Sequence, residues 1–317
     1  MTALRLPLLA AALLASTATA AAQSISIENF IGTVNIVPGA ALSIDGEAPD
    51  SARLDGMTLR VDGNESMKKL SCSDKRGDIT VRRGKLIGGT SRKLSDYPAL
   101  RITAPAGTRF EIKDSLVIGT SSDLGEVDLG LPKCGRFEFS DVSGPFKAAL
   151  SGSADVTAGN VGEARLATSG SGDFQIADAD SLTFSSSGSG DVQAGDVAGP
   201  ATVRSSGSGD AVIQSVSGDL EFRSTGSGDL MLGRLDGNAK MTSTGSGDMQ
   251  IDSADIPTLT ARSTGSGDLS VGGRVGDADL VSTGSGDFVF ASQDGKLKHR
   301  SMGSGSVTVD GRTIKKR

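Results

Sequence analysis

Over the second half of the chain four apolar positions recur in every 18 to 20 residues, two on each side of a Gly-Ser-Gly turn. The residue closing each turn falls at Asp155 (in a Gly-Ser-Ala variant), Asp173, Asp191, Asp210, Asp229, Asp248, Asp268 and Asp287, with Ser306 in the last place. One and three residues after these positions, and nine and seven before them, 35 of 36 slots are apolar, against 37% for the whole chain. Phe222, Leu220, Leu230 and Leu232 fill the four slots around Asp229. Spacing by two within each pair is the mark of a strand that turns alternate side chains inward. Each repeat is therefore two short strands joined by a sharp corner. A period near 19 is too short for a propeller blade or a helical hairpin and fits one coil of a β-solenoid. Coils stacked at about 4.8 Å would make a rod on the order of 40 Å from nine repeats.

The first half alternates less regularly. Ile25/Ile27, Val34/Ile36, Leu59/Val61, Ile79/Val81, Leu100/Ile102, Phe110/Ile112 and Val127/Leu129 read as half-buried strands, and no helical period is sustained in the region after residue 22. The fold class is all-β: a single-stranded β-helix with coils of about 19 residues and a less regular N-terminal β cap. The organisation expected is a signal peptide over 1–22, an N-terminal region and cap over 23–135, regular repeats over 136–309 and a polar tail over 310–317. The signal reading rests on Arg5, the apolar run Leu6–Leu14 and the small residues Ala20-Ala21-Ala22 before Gln23. It places the protein in the periplasm or at the cell surface, with no later segment able to cross a membrane.

Turn chemistry follows from the same register. The buried phase at the corner holds Ser186, Ser205, Ser224, Ser243, Ser263, Ser282 and Ser301, a ladder of hydroxyls suited to satisfying corner backbone groups. The glycines are expected to adopt positive φ. His299, in a slot otherwise apolar, marks the last coil as an end.

Composition adds four points. Export makes Cys72 and Cys134 a candidate disulfide. The segment Asn64–Asp96 carries nine basic and four acidic residues, read as a solvated insertion or edge in preference to an anion-binding patch. The repeats from Arg136 to Ser306 carry 12 basic and 22 acidic residues, a polarity able to favour head-to-tail contact. Nucleic acid is excluded as a partner by the net charge of −6 and by the lack of aromatic residues interleaved with the basic ones.

The repeated Ser-Gly-Ser-Gly-Asp-apolar-x-apolar coils, with the lead-in Leu100-Arg101-Ile102-Thr103-Ala104-Pro105 and Phe110-Glu111-Ile112, resemble the putative auto-transporter adhesin, head GIN domain family. The resemblance implies a right-handed β-helix exported by a Gram-negative bacterium and no catalytic residues. It points to a structural or adhesin-like module with an envelope or surface partner, glycan or protein.

Candidate chemistry is confined to the aspartate row. Asp173, Asp191, Asp210, Asp229, Asp248, Asp268 and Asp287 would align along one edge, where neighbouring carboxylates repel by roughly 1 kcal/mol in water. Calcium would offset this, as in Gly-rich repeat loops, but those place two such turns in each coil. The preferred reading has each carboxylate accept hydrogen bonds from its own turn, with Arg204, Arg223, Arg262 and Arg300 adding attraction. No cofactor is therefore expected. A polysaccharide lyase or hydrolase is the alternative activity; uniform coils, one Tyr and no Trp argue against it.

Overall fold

A computed structural model describes residues 23–46, 49–75, 77–84 and 89–314. The expected signal peptide lies outside these residues, as do Arg76, Lys85 and residues 315–317. Eleven sequential coils run from Arg109 to Val309, and their strands stack in two parallel columns. The first column holds the strand before each Gly-Ser-Gly corner, such as Leu220–Ser224; the second holds the strand after it, such as Leu230–Asp236.

Register places like on like. Leu220 lies on Ala239 and Phe222 on Met241; in the second column Leu230 lies on Met249 and Leu232 on Ile251. All of these side chains are buried in one continuous core. Burial of each Leu or Phe contributes about 1.5–3 kcal/mol, so the stack gains with every coil added. The coil also has a third inward position that the two-strand reading missed. Val161, Ala179, Val197, Val216, Leu235 and Val275 are buried six or seven residues after the turn aspartate, the first two just past the end of the second strand and the others within it.

The chain does not enter the solenoid at its end. Ser24–Glu28 pairs with Thr58–Asp62 on one side and Arg109–Lys113 on the other. Ile31–Pro38 likewise lies between Ala99–Ala104 and Leu116–Ser121. The terminal coil is thus made of residues later in sequence, and antiparallel strands Arg53–Asp55 and Ser43–Gly46 cover its two columns. At the far end Arg312–Ile314 folds back antiparallel on Val307–Val309, while His299 sits half-buried above Leu280 in the last coil.

The basic segment is an insertion in the terminal coil. Leu70–Lys75, Asp78–Arg83 and Thr90–Lys93 form a three-stranded antiparallel sheet against the solenoid's side. A small second core of Leu70, Ile79, Val81 and Leu94 packs on Ile31, Leu116 and Cys134, and the Cys72–Cys134 disulfide joins the two parts. Several of its charges are paired at the surface: Arg83 with Glu65 at 2.6 Å, Lys93 with Asp78 at 3.2 Å and Asp74 with Arg136 at 3.3 Å.

The expectation for the corner glycines holds at Gly265 and Gly284, with φ of 148° and 156°, but Gly226, Gly228, Gly245 and Gly247 do not have positive φ. Their absence of a side chain is required by stacking: a Cβ on Gly226 would overlap the carbonyl oxygen of Gly207 one coil below, and one on Gly228 would overlap that of Gly209. Gly226→Ala is expected to lower stability by about 1–3 kcal/mol, because backbone has to move on both coils. Ser227→Ala, on the exposed tip of the same corner, should stay within about 0.5 kcal/mol. Equal denaturation midpoints for the two variants would overturn this account.

Candidate interaction face

The Gly-Ser-Gly corner aims three sets of groups. The buried serine hydroxyls bond across the corner, Ser205 donating to the carbonyl of Gly209 at 3.3 Å, Ser263 to Gly267 at 3.2 Å and Ser282 to Gly286 at 3.4 Å. These close their own turns from inside, as the register predicts, whereas the hydroxyls of Ser186 and Ser301 in the same ladder make no such bond.

The aspartates work between coils. The N–H of Asp191 donates to Oδ1 of Asp173 at 2.9 Å, that of Asp210 to Asp191 at 2.8 Å and that of Asp229 to Asp210 at 2.9 Å. Asp248, Asp268 and Asp287 continue the chain at 2.8, 2.9 and 2.8 Å, and Ser306 ends it with its N–H and hydroxyl on Asp287. The acceptor therefore serves the turn above, not its own turn. A hydrogen bond to a charged group is worth about 1.5–3 kcal/mol, against roughly 1 kcal/mol of repulsion between neighbours, so these bonds are enough to offset that repulsion.

Sequence reasoning missed two further sets of ties between coils. Just before the third inward position, Asp141 accepts from the N–H of Asn160 and Asp178 from that of Asp196; just before the first column, Asp219 accepts from Asn238 and Asp277 from Lys296, all at 2.7–3.0 Å.

The arginines do not serve the aspartate row. Arg204 pairs with Glu221 at 3.2 Å and Arg300 with Asp279 at 3.9 Å, both on the outward face of the first column. On that face Ala149, Ala167 and Ser185 are small, and Arg204 and Arg223 follow in the next two coils. A shallow groove of about 510 Å³ results, edged by hydroxyls including Ser169, Ser187 and Thr225. It offers an apolar floor, hydroxyl donors and cationic groups at one end. Among the described residues no three His, Cys, Asp or Glu side chains are grouped to hold a metal ion.

The model of the family described as putative auto-transporter adhesin, head GIN domain, matches residues 55–234 and 197–289. The chain belongs to this family. The first match also takes in the terminal coil and its inserted sheet, the second falls on the repeated coils, and the two overlap over 197–234, as expected where one coil resembles the next. No curated protein and no solved structure matches the chain. The head GIN domain is thus seen here as a rod whose polar groups serve mostly to bind one coil to the next.

Two outcomes follow for the row. Asp229→Ala leaves the N–H of Asp248 without its acceptor and should cost about 1–2 kcal/mol, whereas Asp229→Asn should recover most of it; neither calcium nor a chelator should move the thermal midpoint of the wild type, and a calcium-dependent rise would refute the cation-free row. Asp155 differs from the others. Burial holds its carboxyl above the ordinary carboxylate range, the Asp173 N–H pulls it down, and the Asp173 charge pushes it up again. A carboxyl raised in the folded state penalises folding above that pKa, and the penalty is relieved as pH falls through it. Asp155→Asn should therefore unfold at slightly higher temperature than wild type at neutral pH. The gain should shrink toward acid pH; a gain independent of pH would point to another cause.

Proposed function

We propose that the protein is an exported, non-catalytic structural and adhesin-like module of a Gram-negative envelope. The observation that carries this reading is the uniformity of the coils, whose outward positions repeat as rows along the rod and not as a cluster in a cleft. Rows of this kind give an extended partner many equivalent shallow contacts, which add as effective concentration without a deep pocket. The groove beside Arg204 and Arg223 suits an acidic stretch of glycan or protein. Along the repeated coils, among the described residues, the corners are uninterrupted and carry no long loops of the kind that usually hold catalytic groups.

The disulfide is consistent with an oxidising compartment, where such bonds persist. The expected mature N-terminus is Gln23, which precedes the first strand by one residue. Protease treatment of intact cells, followed by immunoblotting and N-terminal sequencing, tests location and processing together. Digestion in intact cells means display at the surface; protection until the outer membrane is opened means the periplasm. Recovery of unprocessed chain in the cytoplasm would end the export reading.

A further inference from the structure

The two ends of the rod differ in charge and share an unfinished edge. At the N-terminal end the outermost strands, Arg53–Asp55 and Ser43–Gly46, each pair on one side only among the described residues. At the C-terminal end the same holds for Leu297–Ser301 and Arg312–Ile314. A strand paired on one side presents free N–H and C=O groups to another chain.

Exposed apolar side chains gather at the same places. Of the six large ones, Leu54 and Met57 (52% and 41% exposed) sit at the first end and Met302 and Ile314 (77% and 37%) at the second. In the last coil the inward residues Leu297, His299 and Ser301 are only half-buried, while Ala278, Leu280 and Ser282 beneath them are buried. The core is thus open at that end.

Charge decides what fits. The N-terminal cap between Ser43 and Met57 presents Asp45, Asp50 and Asp55 against Arg53. From Lys296 to Ile314 the other end presents Lys296, Lys298, Arg300 and Arg312 against Asp310. Two copies joined by like ends would oppose equal charges. Joined head to tail they oppose unlike charges, and Leu297–Ser301 of one copy continues the first column onto Arg53–Asp55 of the next. We infer that the protein stacks on a second copy of itself, C-terminal end against N-terminal cap. Such a contact uses different surfaces on the two copies and does not close on itself, so it extends to an open filament. It requires nothing about the cellular location proposed above.

Sedimentation velocity over a concentration series reads this directly. Wild type should self-associate with concentration. Lys298→Glu/Arg300→Glu at one end, and Asp45→Lys/Asp55→Lys at the other, should each weaken association by about a hundredfold, since like charges then face each other. An equimolar mixture of the two variants should restore it, because every contact in the mixture again joins unlike ends. Wild type that stays monomeric at all concentrations, or variants whose mixture remains dissociated, would overturn the inference. Should a reversal variant lose its β circular dichroism, Leu54→Asp at the exposed cap replaces it and must weaken association; if it does not, the inference also fails.

Discussion

The close approach of successive corners is the constraint on which the rest depends. At each Gly-Ser-Gly turn the backbone lies so near that of the coil below that no Cβ fits at either glycine. This closeness brings the N–H of each turn aspartate within 2.8–2.9 Å of the carboxylate beneath it over most of the row. It also sets the parallel register that lays Leu220 on Ala239 and Phe222 on Met241. Sterics, hydrogen bonding and core packing therefore impose the same vertical spacing. Agreement between levels of this kind is what makes a repeated sequence specify one structure.

Acidic rows invite a metal-binding interpretation, and here the geometry gives them another task. A carboxylate that accepts a backbone N–H from the next coil stabilises the stack at a corner where the strand ladder is interrupted. Asp141 and Asp178 before the third inward position, and Asp219 and Asp277 before the first column, do the same elsewhere in the coil. Polar residues thus act as vertical ties where apolar side chains cannot. What remains available for partners is the outward side of the strands, where the groove beside Arg204 and Arg223 lies, and the two ends.

The repeats were legible because their signals coincide. The apolar slots, the buried serines and the period all arise from contacts made within one coil or between identical positions in adjacent coils. The terminal coil was not, because Ser24–Glu28 sits between strands 30 and more residues away and nothing local marks that order. The basic segment was read as a charged insertion or edge; its fold as a three-stranded sheet pinned on Ile31 and Leu116 depends on contacts between segments far apart in sequence. The candidate site was half visible: the aspartates and arginines stood out by type, but their partners were assigned to the wrong neighbours.

By itself the sequence determined the all-β class, the coil length, the inward faces and the residues that had to be glycine, since periodicity and side-chain size are local properties. Only the tertiary structure decided why they had to be glycine, which turn each aspartate serves, and how the ends are covered. Those depend on distances between coils, and one coil carries no record of how closely the next will lie on it.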